Sequence, residues 1–316
     1  MRRLAAVDIG SNTVHVLVAD EEDGRLTDVG HHVEMPELGR DVERTGRIGR
    51  HGRRRALQAL DRVIKKAREL GYEQLVAGAT QAVREAADGE KLLAEASALL
   101  DVPVRLISAQ REAQLSFRGV ASRHAGRREW LMADLGGAST EVVAADGERI
   151  VSWVSLPIGS GVAAARFLSD PPLAGERTAL RAAALPVMHR APESDAERMV
   201  VTGGTASNLP LLLSAASPPP LLSTQALLTA EARLDATPAR ELAQRTGLEE
   251  TRVRALRGGV EILLLLLDYY GLHAVQVSHE GLRQGMLLAW LEKGERWWAT
   301  DPPSPPSGEE LISRCS

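Results

Sequence analysis

The chain has almost no cysteine: Cys315 stands alone near the end of its 316 residues, so an internal disulfide is excluded, and a cysteine-based metal site with it. It has no excess of positive charge either. Its 38 lysines and arginines face 42 aspartates and glutamates, a net charge of −4, and no global field draws in nucleic acid or an anionic membrane. Long apolar runs are also missing. The longest block, Ile262 to Leu267, falls far below the roughly 20 residues of a membrane span. The opening MRRLAAVDIG carries two arginines but only a short apolar stretch before Asp8, too short for the apolar region of a signal peptide. These absences predict a reducing, cytoplasmic setting with neither membrane nor nucleic acid as a partner.

What is present is globular in character. The hydrophobic fraction is 44% and the charged fraction 25%, and the length is about twice that of an average domain, which predicts two domains. The expected division is 1–123 and 124–300, with the last helix packing back on the first domain and a disordered tail over 301–316, where PPSPPSGEE lies.

Leu4 to Val7 and Val14 to Ala19 are apolar, β-compatible runs around a turn-rich segment, and together they predict a hairpin. Leu57, Leu60, Ile64 and Ala67 recur with helical period from Arg53 to Glu69, and Gly71 stops that helix. Gln74 to Ala79 then predicts a strand, Gln81 to Ala87 a helix, Val104 to Ser108 a strand, and Glu112 to Val120 the start of a helix. Trp130 to Asp134 and Val142 to Ala145 predict a second hairpin. Met199 to Thr202 is a strand running into Gly203-Gly204-Thr205, with a helix behind it over Ala206 to Leu213. After a loop at Ser217-Pro218-Pro219-Pro220 come helices through Leu227 to Arg245 and Arg252 to Leu267, a strand at Ala274 to Ser278 and a helix at Leu282 to Leu291. The alternation is that of an α/β protein.

The two hairpins are alike. LAAVDIGSNTVHVLVAD and LMADLGGASTEVVAAD each run as apolar strand, aspartate, small-residue turn, hydroxyl residues and apolar strand. Duplication at this scale predicts two related halves. Turns that approach phosphate need small residues, so that backbone N–H groups reach the oxygens with no β-carbon in the way. Gly10, Gly136, Gly137, Gly203 and Gly204 meet that need, and Ser11, Thr13, Ser139, Thr140 and Thr205 add hydroxyl donors. Each turn alone is equally an ordinary glycine-rich hairpin or helix cap.

Asp8 and Asp134 are placed at the last position of their strands, the edge where ligands bind in open α/β sheets. Carboxylates there repel phosphate unless a divalent cation or water lies between, so the pair implies Mg²⁺ or another divalent cation. The alternative is a turn-forming aspartate bonded to its own backbone. Glu112, early in a helix, and Glu141, just after the second turn, are both placed to reach a water beside a phosphorus atom, and composition does not choose between them. Glu112 equally fits a residue that offsets the helix dipole.

Seven segments, DIGSNTVHVLV, ATQAVREA, SAQREAQLSFRGV, ADLGGASTEVV, VTGGT, TGLEETRVRALRGGVEIL and VSHEGLRQG, occur in the order expected of the exopolyphosphatase and guanosine pentaphosphate phosphohydrolase family. The resemblance runs from about Leu4 to Leu288. It implies two actin-like (ribonuclease H-like) domains with the active site in the interdomain cleft, the fold shared with sugar kinases and heat-shock ATPases. The family's catalytic glutamate falls on Glu112, which would orient and deprotonate the attacking water. Asp134 and Glu141 match acidic residues that resemble metal or water holders, and Asp8 opens the first phosphate motif similarly. Ser11 and Asn12, with Gly10, match the first phosphate loop. Gly136, Gly137 and Ser139 match the second, and Gly204 and Thr205 the third. Arg84 resembles an arginine that faces the phosphate chain.

Four positions depart from the family pattern. Ala138 stands where a third glycine is frequent, and a positive φ there would strain the loop. Arg111 replaces an acidic residue before the catalytic glutamate, Arg254 replaces an aspartate, and Gln284 replaces the glutamate of the GLREG motif.

The resemblance implies a Mg²⁺-dependent exopolyphosphatase acting on inorganic polyphosphate, with hydrolysis of guanosine pentaphosphate as the alternative. A kinase or ATPase of the same fold and a non-catalytic polyphosphate or alarmone sensor are the readings of other classes. A homodimer is implied by analogy alone. Arg53-Arg54-Arg55 and Arg127-Arg128 are basic runs that would either extend a polyphosphate track or lie on solvated faces. His15, His31, His32 and His279 show no metal-like spacing.

Overall fold

The computed structural model describes residues 1–125, 128–173, 175–213 and 221–300. The expected loop at 217–220, the expected tail over 301–316 and Arg127 lie outside the described residues.

Two sheets organise the chain. The first is built from β1 (Arg2–Ile9), β2 (Val14–Glu22), β3 (Arg25–Glu34), β4 (Gln74–Ala79) and β5 (Val104–Leu106), in the order β3-β2-β1-β4-β5. The second takes β6 (Glu129–Leu135), β7 (Thr140–Asp146), β8 (Arg149–Leu156), β9 (Met199–Thr202), β10 (Leu221–Ser223) and β11 (Ala274–Val277), in the order β10-β11-β9-β6-β7-β8. Reversed, that order is β8-β7-β6-β9-β11 with β10 added at the edge. The first sheet's order is therefore repeated, and so are the directions: three antiparallel strands followed by two parallel ones.

Period-two alternation explains the packing of both central strands. In β1, Ala5, Val7 and Ile9 face a core that includes the Gly49–Leu70 helix, while Leu4 and Ala6 face the opposite side. In β6, Leu131, Ala133 and Leu135 join the core containing the Glu250–Tyr269 helix, while Trp130 and Met132 face away from it. Asp8 and Asp134 fall on the same face as Leu4 and Ala6, and as Trp130 and Met132.

Two helices cover those faces, and they are exchanged. The Ala109–His124 helix follows the first sheet in sequence, yet buries Ala113, Phe117, Val120 and Ala121 against the second. The Leu282–Lys293 helix follows the second sheet, yet buries Leu282, Met286, Leu287 and Ala289 against the first. They meet backbone to backbone. A β-carbon on Gly285 would lie 1.8 Å from the Leu115 carbonyl oxygen, and one on Gly119 would lie 2.1 Å from that of Gly281.

Elements that alternate weakly or carry solvent faces escaped sequence reading. They include β3, β8, β10 and the helices Leu38–Thr45, Gly89–Leu100, Ser160–Phe167 and Glu176–Met188. The stretch expected as helix through Leu227 to Arg245 is two helices, Thr224–Ala236 and Ala239–Thr246, broken at Pro238, whose ring cannot continue the first. The aspartates are not the last residues of their strands: Ile9 and Leu135 each add one more.

Candidate active site

A cavity of about 600 Å³ opens between the sheets, walled by both hairpin turns, by Gly203 and Gly204, and by the Gly281–Gln284 start of the exchanged helix. The two turns close alike. Gly10 N–H donates to the Thr13 carbonyl at 2.8 Å, and Gly136 N–H to that of Ser139 at 3.0 Å. Across each hairpin the aspartate has a cavity-lining partner: Asp8 stands opposite His15, and Asp134 opposite Glu141.

The cavity is lined by Asp8, Gly10, Ser11, Asn12, Glu112, Asp134, Gly136, Gly137, Ser139, Glu141 and Gly204 of the residues expected from sequence. Three expected side chains are directed elsewhere. Thr140 is fully buried and its hydroxyl donates to the Ile158 carbonyl at 2.6 Å. Thr205 is buried against the Glu250–Tyr269 helix, where a β-carbon on Gly259 would come 2.2 Å from its hydroxyl. Arg84 does not line the cavity; its Nη1 donates to Glu112 Oε2 and to the Ile107 carbonyl, both at 2.7 Å. It therefore acts on the glutamate, not directly on the space beside it. Ala138 has no positive φ, so the strain expected there does not arise.

Burial dominates the electrostatics. Desolvation pushes the Asp8 carboxyl up to about 6, with Arg283 opposing and Asp134 adding to the rise. Asp134 is raised by burial, against a hydrogen bond from Ser116 Oγ at 2.5 Å and the charge of Arg283. Glu141 is pushed up to about 7 by burial and by Asp134, although Ser155 Oγ donates to it at 2.7 Å. Glu112 is held well above the usual carboxylate range by burial and by Glu141, with Arg84 pulling the other way. Each of these groups gains from any positive charge brought into the cavity.

Two cations missed by sequence reading lie here. Arg283, half-buried at the start of the exchanged helix, stands 3.9 Å from Asp8, and desolvation draws its guanidinium below the usual range against the pull of Asp8, Asp134 and Asp28. Arg252 packs over Gly204 and is likewise lowered by burial. Both sit inside quoted motif segments, but a single sequence does not separate a buried arginine from a surface one. His15 is half-buried in the wall, and its buried Nε2 has no partner among the described residues.

The donor set fits a hard cation of the Mg²⁺ kind. Asp8 Oδ1 is buried without a hydrogen-bond partner among the described residues, an acceptor left open in a site rich in negative charge. The expected trio of Asp8, Asp134 and Glu141 shares the cavity, but among the described residues no three His, Cys, Asp or Glu side chains form a ready cation cage. That favours an ion held by one or two carboxylates plus water and substrate oxygens, as Mg²⁺ commonly is, over one that demands a full protein shell.

The basic run lies apart from the cavity. Arg53 is paired with Asp88 at 3.1 Å and Glu95 at 3.5 Å, and Arg55 with Asp41 at 2.5 Å. No helix among the described residues is long and apolar enough to cross a membrane.

The model of the Ppx/GppA phosphatase family matches residues 17–294. The crystal structure of the Aquifex aeolicus member of that family superposes with a TM-score of 0.76 at 26% identity, covering 93% of this chain and 99% of that one. A structure of the Aquifex aeolicus PPX-GPPA enzyme gives 0.74 at 26% identity, covering 91% and 99%. An exopolyphosphatase from Cytophaga hutchinsonii shares the fold at a TM-score of 0.83 and 22% identity, covering 92% and 98%. With the duplicated hairpins facing one buried, carboxylate-lined cleft, the chain belongs to the Ppx/GppA phosphatase family and is a phosphoanhydride hydrolase of actin-like, two-domain fold.

Proposed function

We propose that this hydrolase is an exopolyphosphatase that removes terminal orthophosphate from inorganic polyphosphate, with Glu112 as the general base. The observation that carries the reading is the placement of Glu112. It sits in the first turn of the exchanged helix, inside the cavity, buried, and anchored by Arg84. A raised carboxyl pKa makes it a stronger proton acceptor, suited to work near neutral pH.

In this mechanism a water beside Glu112 attacks the terminal phosphorus and gives its proton to the carboxylate. The bridging P–O bond breaks, and the shortened chain leaves with that oxygen. Backbone N–H groups of the turns at Ser11 and Asn12 and at Gly137 to Ser139 hold the terminal phosphoryl oxygens, with Arg283 and Arg252 adding positive charge. Mg²⁺ bound at Asp8, with Asp134 or Glu141, would neutralise charge on the phosphoryl oxygens. Glu141 keeps its carboxyl oriented through Ser155.

The chain would work as two domains, 1–123 and 124–300, a division supported by the repeated strand order. A cytoplasmic homodimer is the setting proposed, on composition and family analogy.

The test is phosphate release from long polyphosphate and from guanosine pentaphosphate, with and without Mg²⁺, by the wild type and by Glu112→Ala. Release from polyphosphate, dependent on Mg²⁺ and lost in the variant, is expected. Faster release from guanosine pentaphosphate would transfer the assignment to that substrate. Full activity in Glu112→Ala would remove Glu112 from the mechanism, and binding without turnover of either substrate would make the protein a sensor.

A further inference from the structure

Residues 294–300 do not line the cavity, yet they are built into the first turn of the helix that carries Glu112. Gly294–Arg296 forms a 3₁₀ turn, and Trp297 beyond it is 3% exposed, seated in the cluster of Leu4, Ile107, Leu115 and Met286. Its carbonyl accepts from Arg111 Nε at 3.0 Å and from Nη2 at 2.5 Å. Arg111 is itself 2% exposed. Two further contacts tie the same segment down. The Arg105 guanidinium, on β5, lies 5.2 Å from the ring centroid of Trp298. Thr300 Oγ1 lies 3.3 Å from Ser108 Oγ, the hydroxyl that caps the helix by accepting from Arg111 N–H at 3.1 Å.

A buried guanidinium is costly unless acceptors meet it, and here Trp297 supplies a carbonyl that takes two of its N–H groups. The first turn of the helix is thereby held from outside by residues 297–300. Through the Glu112 side chain Arg84 holds it, joining the Ile107 carbonyl to the Glu112 carboxylate. Arg111 and Glu112 are neighbours in sequence but are engaged on different sides, one by the C-terminal segment and one by the cavity.

We propose that Arg111 is a positioning residue for Glu112, and that Trp297–Thr300 is a strap that fixes the first turn of the catalytic helix through it. The proposal rests on Glu112 as general base. A misplacement of about 1 Å at the reacting groups costs on the order of 100-fold in rate, which is the scale on which a loosened first turn would act.

The experiment compares Arg111→Met, Arg111→Lys, Thr300→Ala and Glu112→Gln in the full chain, with polyphosphate as substrate and rates expressed per folded molecule from urea unfolding. Expected for Arg111→Met is a kcat lower by about 10- to 100-fold with KM near the wild-type value. Its kcat–pH profile should have a displaced acidic limb, because the setting of the Glu112 carboxyl changes. Arg111→Lys, which keeps a donor to the Trp297 carbonyl, should recover part of the rate, and Thr300→Ala should show a smaller loss of the same kind. A wild-type kcat per folded molecule and an unmoved limb in Arg111→Met, with Glu112→Gln inactive, would overturn the positioning role and leave the base assignment standing. Wild-type activity in Glu112→Gln would bring down both.

Discussion

The side chain of Asn12, at the tip of the first hairpin, occupies the space that a β-carbon on Gly137 of the second would need: that carbon would lie 2.5 Å from Asn12 Cγ. Gly161 is under the same constraint, at 2.3 Å from Asn12 Nδ2. Gly137 has no positive φ, so the demand for glycine comes from the close approach of the two turns, not from backbone conformation.

Gly137→Ala should therefore push the turns apart. Overpacking of this kind costs about 1–3 kcal/mol, and if the strain falls on the closed cleft, kcat/KM for polyphosphate should drop about tenfold or more. Ala138→Gly should leave the rate nearly unchanged, because Ala138 is unstrained. Steady-state kinetics on the two variants check the pair, and equal effects would refute the account.

The buried carboxylates make the metal-free protein sensitive to alkali. Glu141 and Glu231 are pushed to about 7 and Asp8 to about 6, each mainly by burial, against unfolded values near 4. Between the unfolded and folded pKa the native state binds more protons than the unfolded chain, so stability falls as pH rises through that window. His15, held neutral by burial, opposes this only below about pH 6.5. Urea unfolding in chelator should give a lower midpoint at pH 8 than at pH 6.5, with Mg²⁺ restoring it; a higher midpoint at pH 8 would contradict the assignment.

Asp8→Asn should separate stability from function. Removing a buried charge with an unpartnered oxygen should raise the metal-free thermal midpoint at pH 8, while more Mg²⁺ is needed for half-maximal activity. A lowered midpoint with unchanged Mg²⁺ dependence would exclude Asp8 from the cation site.

Far from the cleft, Glu261 is fully buried between Arg177, at 3.2 Å, and Arg181. Glu261→Ala removes the acceptor that the two guanidiniums share, while Arg177 keeps Asp235 and Glu231, and should cost about 1–3 kcal/mol in denaturant unfolding. Its kcat per folded molecule should match the wild type.

Arg53→Ala should act on stability and not on substrate length. Asp88, its partner, also accepts from the N–H groups of Ile48 and Gly49 at the start of the Gly49–Leu70 helix, so the arginine completes a helix-end cluster. The loss should be about 1–3 kcal/mol, with the same ratio of activity on long and short polyphosphate as the wild type. A selective loss on long chains would restore the basic run as a substrate track.

By itself the sequence determined the local units: the paired strand–turn–strand hairpins that carry Asp8 and Asp134, and the third glycine turn after Met199–Thr202. Those follow from period-two apolar runs and small turn residues, which act over a few positions. Tertiary structure alone decided that the Ala109–His124 and Leu282–Lys293 helices exchange sheets and touch through glycines, since an apolar face does not name the surface it will meet. It also decided that Arg84 turns to Glu112, that Thr205 packs away from the cleft, and that Arg252, Arg283 and His15 come to line its wall. The charge state and aim of those groups depend on which distant residues exclude water from them, and that is a property of the assembled fold.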